Sequence, residues 1–194
     1  MARPRFLVYG IGVNDADYKV CHTVNGKKIV CPLYQTWQSM LRRCYSAKYQ
    51  AESPTYIGCS VTPEWLTFSN FKRWMISQDW QGKELDKDLL VKGNKVYSPD
   101  TSVFVDRMTN AFTTDSSATR GEWPIGVNFH KTYGKLRARC RNPFTRQHEL
   151  LGYFTCHKQA HLAWKKRKHE LACQLADLQS DERVSQALRA RYAV

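Results

Sequence analysis

The chain has 194 residues, 42% of them apolar, and carries 30 Lys or Arg against 17 Asp or Glu, a net charge of +13. That length admits one or two compact domains, and the apolar fraction is too high for a disordered chain. No apolar run approaches the roughly 18 residues of a membrane helix, so the excess charge directs the search for a partner to polyanions, above all DNA or RNA, and away from a membrane.

The opening stretch, MARPRFLVYGIGVN, lacks the apolar core and small-residue cleavage site of a signal peptide, and a cytosolic protein is expected. Gly10-x-Gly12 meets no third glycine and opens no helix, so it reads as a bend beside a strand rather than a phosphate cradle. KVCHTVNGKKIVCP predicts a hairpin about Asn25-Gly26. Residues 33–46 predict a helix with Tyr34, Trp37, Leu41 and Tyr45 on one face. Arg42 and Arg43 lie off the centre of that face, as a solvated rim or as phosphate contacts. After a break at Ser53-Pro54, Thr62-Pro63-Glu64 predicts a helix start with Thr62 as N-cap, followed by a stripe of Trp65, Phe68, Phe71 and Met75.

Residues 81–112 predict strand, turn, strand and helix around Asp86-Lys87-Asp88, Gly93-Asn94 and Tyr97-Ser98-Pro99-Asp100. Carboxylates on one segment facing polar groups on the next can grip one divalent ion. Such an ion stabilises the charge that develops on phosphate during strand cleavage. The same three residues also fit an ordinary surface charge cluster. Seven cysteines with no C-x-x-C pair read as buried reduced thiols, with a zinc site from Cys44, Cys59 and His22 as the less favoured alternative.

Residues 113–122, TTDSSATRGE, predict a linker. Residues 123–179 then predict three strands and a helix. Lys135, Arg137 and Arg139 alternate with Leu136, Ala138 and Cys140, one set to each face of a strand. His130, Lys131, Arg141 and Arg146 flank the basic face. Thr155 is expected to cap a helix bearing Ala160, Ala163, Trp164, Leu171 and Leu175, on which Lys165 to Lys168 read as phosphate contacts or a solvated face. Ser180 is expected to cap a last short helix within residues 180–194. Residues 121–170 hold 11 Lys or Arg against 3 Asp or Glu, so the basic excess is concentrated there. A sheet face of that kind can lie in the major groove, its arginines reading guanine edges or touching phosphates. The elements make an α+β chain with an N-terminal domain over residues 1–112 and a second over 123–179.

Two parts of this pattern resemble known families. Leu85-Asp86-Lys87, the Gly93-Asn94 turn and Tyr97-Ser98-Pro99-Asp100 resemble the core of the HNH (His-Me finger, ββα-metal) nucleases found among phage-encoded homing-type endonucleases. Trp37, Met40, Arg43, Cys44, Tyr45, Thr55-Tyr56-x-Gly58-Cys59 and Glu64-Trp65 extend that resemblance over residues 34–105. Gly126-Val127, the strand Lys135 to Arg139, Leu151-Gly152-x-Phe154 and the helix with Ala160 and Trp164 resemble the apetala-type DNA-binding domain, which follows the nuclease core in phage homing enzymes. The resemblance implies Mg²⁺ or Mn²⁺ held by Asp86 and Thr101, catalytic roles for Asp86, Lys87, Asp88 and Thr101, and action on DNA in the cytoplasm of a bacterial host. Lys87 stands where the family has its general-base histidine, and Thr101 where it has the metal-binding asparagine. A protonated lysine takes no proton from water, so Lys87 is expected to position the scissile phosphate or stabilise its charge, with Asp88 as a replacement base or ligand. Two readings follow: a metal-dependent DNA endonuclease with a tethered recognition domain, or a catalytically silent DNA-binding protein of the same fold serving as a phage regulator or host-interference factor. A host protein partner is left open.

Overall fold

The computed structural model describes residues 7–114 and 121–193, a mixed α and β chain with small sheets. It divides into two compact units between Asp106 and Arg107. Residues 115–120 of the expected linker lie outside the described residues.

In the first unit, β1 (Cys21–Val24) and β2 (Lys27–Val30) form the antiparallel hairpin expected from Asn25-Gly26. Asn25 and Gly26 both take positive φ, 50° and 74°, which is what a two-residue turn matched to strand twist requires. Helix α1 (Pro32–Tyr45) starts at a proline and buries Tyr34, Trp37, Met40, Leu41 and Cys44. It stops at Ser46, whose extended backbone and side chain start the short α2 (Ala47–Glu52) by accepting from the Tyr49 N–H. The strand β3 (Ser60–Val61) follows.

The helix expected from Thr62-Pro63 forms in two pieces. Pro63–Leu66 makes one tight turn, Thr67 is extended, and α3 (Phe68–Ile76) begins only then. The cause is tertiary. Val13 donates to Leu66 O at 2.8 Å and accepts from Phe68 N at 3.0 Å, so Thr67 pairs as a bridge instead of continuing the turn. Thr62 caps nothing through its side chain. The aromatic stripe is core, as its spacing implies: Trp65, Phe68, Phe71 and Met75 are buried with Trp37, whose indole N–H donates to Trp65 O at 2.7 Å.

The remaining strands of this unit are β4 (Glu84–Asp86), β5 (Val96–Tyr97) and β6 (Val103–Val105). β4 pairs antiparallel with β6, while β5 pairs parallel with β3. Thr101 thus lies in the turn between β5 and β6 and not on a strand.

The second unit begins with α4 (Arg107–Thr113), which the sequence places with the residues before it. Its own contacts explain the difference. Thr109 accepts from Gln179, Tyr192 packs edge-on against Phe112, and the Arg191 guanidinium donates to Thr113 O. Strands β7 (Val127–His130), β8 (Lys135–Arg141) and β9 (His148–Phe154) form an antiparallel sheet in that order. One face packs on α5 (His157–Ala176), with Val127, Leu136, Ala138 and Ala160 at the centre of the contact. Helix α6 (Glu182–Arg191) packs back on α5, burying Leu171, Leu175, Val184 and Leu188. Neither cap falls where the sequence suggests. The residue before α5 is Cys156, which makes no side-chain cap bond, and α6 is capped by Asp181, whose carboxylate accepts from Arg183 N at 2.9 Å. Among the described residues no helix is long and apolar enough to cross a membrane.

Candidate nucleic-acid interface and acidic loop

The basic face rests on strand alternation. Along β8 the residues Leu136, Ala138 and Cys140 are buried against α5, so Lys135, Arg137, Arg139 and Arg141 project from the other side of the sheet. Register adds their neighbours: Asn128 lies across from Arg137, His130 from Lys135, Tyr153 from Arg137 and His148 from Arg141. The Arg137 Nε–H donates to Asn128 Oδ1 at 3.4 Å, which orients a guanidinium at the centre of the face. His130 stacks on Tyr133 at 4.8 Å between ring centres, and Tyr153 meets both rings edge-on. Lys131 is exposed in the tight turn Lys131–Tyr133 at the end of the sheet. Burial, and then the guanidiniums of Arg139 and Arg141, push the His148 imidazole below its ordinary value. The positive field of the face is therefore felt by its own histidine.

The one carboxylate on the three strands, Glu149, belongs to the opposite side. It accepts from Arg167 Nε at 2.6 Å and Nη2 at 3.0 Å, and from Asn142 Nδ2 at 2.7 Å. These bonds, the Arg167 pair first, hold its carboxyl down at about 2. They also decide half of the run Lys165 to Lys168. Arg167 is occupied by Glu149 and Glu170, and Lys168 turns inward, donating to Phe112 O at 2.7 Å over the Phe112 ring. Burial pushes the Lys168 amine down to about 8.

In the first unit the acidic loop is bound to itself. Asp86 Oδ1 accepts from the backbone N–H of Asp88 at 2.8 Å and of Leu89 at 2.7 Å, so the carboxylate acts as the acceptor of a turn that ends β4. Asp88 therefore lies beyond the strand, not on the strand face shared with Asp86. Burial, followed by the nearby Asp88, pushes the Asp86 carboxyl above its ordinary value despite those two bonds. Lys87 is only 7% exposed, its amine 3.1 Å from Asp88 and 5.9 Å from the ring centres of Tyr56 and Tyr97. Asn94 clamps the following turn by donating to Lys87 O and Val96 O, both at 2.7 Å. The Thr101 hydroxyl donates to Val96 O at 3.0 Å and meets Ser98 Oγ at 2.7 Å. Arg43 is part of the same interior: its guanidinium donates to Leu85 O and to the Tyr97 hydroxyl, each at 3.3 Å. Arg42 is exposed, over the Tyr49 ring at 4.7 Å.

The side chains that would hold a divalent ion are engaged in local bonds. A carboxylate holds a divalent ion through ionised oxygens with free lone pairs. Asp86 spends one carboxylate oxygen on two backbone amides, and the Thr101 hydroxyl is engaged in its own turn. Among the described residues no three His, Cys, Asp or Glu side chains converge on a place for a metal. The zinc alternative is equally unsupported: His22 sits on the exposed hairpin, and Cys44 and Cys59 are buried thiols, the first pushed up to about 12 by burial.

The chain matches no family model, no curated protein and no solved structure.

Asn128, Tyr133 and Tyr153 join the interface without having been expected from the sequence. Asn128 precedes His130 by two and shares its alternation, so the pattern along β7 contains that signal. The placing of Tyr153 requires the register of β9, which no sequence pattern states.

A stability measurement separates the two roles open to Asp86. Asp86→Asn keeps the oxygen that accepts both amides and removes a half-buried charge, so its melting temperature at neutral pH should equal or exceed wild type. Asp86→Ala orphans two N–H groups and should cost about 1–2 kcal/mol. The sign agrees with the raised carboxyl, since a folded state that binds the proton more tightly loses stability as pH rises through that range. Equal losses in both variants would show that the charge itself is required.

Proposed function

We propose that this chain is a duplex-DNA-binding protein whose second unit, an apetala-type domain, lays the β7-β8-β9 face in the major groove, and whose first unit is a catalytically silent relative of the His-Me finger nucleases. The observation that carries the reading is the face of β8, where Lys135, Arg137, Arg139 and Arg141 all project away from α5 and no carboxylate of the three strands shares their side. Phosphates reward such a face without regard to sequence, and a guanidinium held by Asn128 is suited to the two acceptors of a guanine edge. The resemblance of the first unit supports descent from a nuclease. The committed oxygens of Asp86 and Thr101 favour loss of the metal step.

The test is titration of the full chain against random-sequence duplex at several salt concentrations, with supercoiled plasmid and Mg²⁺ or Mn²⁺ in parallel. Affinity should fall steeply with salt, each neutralised phosphate adding about −0.9 to the log–log slope. Plasmid should stay supercoiled. Nicking that stops with EDTA and disappears in Asp86→Ala would instead restore the endonuclease reading. Binding no tighter than that of a neutral protein at low salt would remove DNA as the partner.

A further inference from the structure

Beside the sheet, the second unit has an open cleft of about 480 Å³ between α4 and the turn that joins β8 to β9. Four cations line it: Arg107 from the start of α4, Arg141 from the end of β8, Arg146 from the turn, and Lys168 from α5 at its floor. Phe112 and Pro143 supply apolar wall, and no carboxylate is among the described lining residues. Lys168 is turned to Phe112 O, whereas Arg107, Arg141 and Arg146 make no ion pair or side-chain hydrogen bond within the described residues. Like charges so gathered repel, and an arriving anion is what relieves them.

The turn is built to hold Arg146 there. Asn142, buried, accepts from Phe144 N at 2.8 Å and Thr145 N at 3.2 Å, and its own N–H reaches Gln147 O at 2.8 Å. Arg146 in consequence takes the left-handed conformation, φ 60°, where glycine or asparagine would cost less. Packing does not explain a long cationic side chain at so unfavourable a backbone position, since Arg146 is exposed.

We infer that this cleft takes a backbone phosphate of the duplex that lies on the sheet, extending the DNA path past the end of β8. Arg141 lines the cleft and ends β8, the strand that carries Lys135, Arg137 and Arg139, so the cleft adjoins the end of the basic strand. The inference rests on the proposed DNA-binding function and adds a phosphate clamp at which no base is read.

The experiment uses the full chain with Arg107→Ala, Arg146→Gly and, for the sheet, Arg137→Ala. Arg146→Gly should melt at or above the wild-type temperature, because glycine tolerates the backbone. Arg107→Ala and Arg146→Gly should each weaken binding about three- to tenfold on every duplex alike, and each should flatten the salt slope by about 0.9. Sequence preference should not change. Wild-type affinity and slope in both cleft variants, with Arg137→Ala weakened, would overturn the clamp and leave the sheet reading standing. Unchanged binding in all three would overturn both. A third arm adds millimolar inorganic phosphate without DNA: if phosphate raises the melting temperature of wild type but not of the cleft variants, while their DNA affinity is intact, the cleft serves free phosphate and the duplex assignment is wrong.

Discussion

Gly126→Ala is expected to unfold the second unit, or to bring it close to unfolding, with a loss of about 2–5 kcal/mol. Two costs add. Gly126 has φ 82°, a conformation that charges any Cβ about 1–2 kcal/mol. A Cβ there would also stand 2.6 Å from Nε1 of the Trp164 indole and closer still to two of its carbons. Trp164 is buried and Gly126 O accepts from Arg139 N at 2.8 Å, so neither ring nor backbone can withdraw cheaply. Overpacking of this kind costs about 1–3 kcal/mol, a large part of the roughly 5–15 kcal/mol that holds a domain folded. Gly134→Ala is the control. It has a similar backbone, φ 59°, with no atom within 4 Å of the added carbon, and should lose only the conformational part. Thermal unfolding followed by tryptophan fluorescence compares them. Equal losses would mean that Trp164 moves aside and that the close approach is not what requires glycine.

Arg137→Ala is expected to reduce affinity for the preferred sequence about 10- to 100-fold while leaving random-sequence binding much less affected. The reason is position. Arg137 is central on the face and its guanidinium is oriented by Asn128, so its donors are fixed before DNA arrives. A bidentate contact to guanine discriminates by about 1–3 kcal/mol at one base pair. Among the described residues Lys135 and Arg139 have no such orienting bond, and their alanine variants should weaken all sequences together and flatten the salt slope by about 0.9 each. Selection of preferred duplexes from a random pool with wild type, followed by titration of each variant, reads the difference. If Arg137→Ala loses random and selected sequences equally, it is one more phosphate contact and base readout lies elsewhere, with Asn128 the next residue to test. Where Arg137 does read a base, Asn128→Ala should reproduce part of its effect, since that change frees the guanidinium without removing it.

Features with a local or periodic cause were legible in the chain. Alternation along β8 placed Lys135, Arg137 and Arg139 opposite Leu136, Ala138 and Cys140, because a strand sends successive side chains to opposite faces. Asn25-Gly26 specified the hairpin, and the spacing of Tyr34, Trp37 and Leu41 the buried side of α1. Where polar groups spend their hydrogen bonds was instead a matter of how the elements pack. Arg42 and Arg43 are adjacent letters, yet the second is drawn inward by Leu85 O and Tyr97, which lie far along the chain. Asp86 and Thr101 have the residue types of a metal site, but their oxygens answer to the backbone of their own turns. The cleft of Arg107, Arg141, Arg146 and Lys168 joins four separate elements through a left-handed residue and the packing of α4 beside α5, and no period in the sequence connects them. Periodicity reports which face of an element is apolar; it carries no record of which distant carbonyl or amide will claim a given side chain.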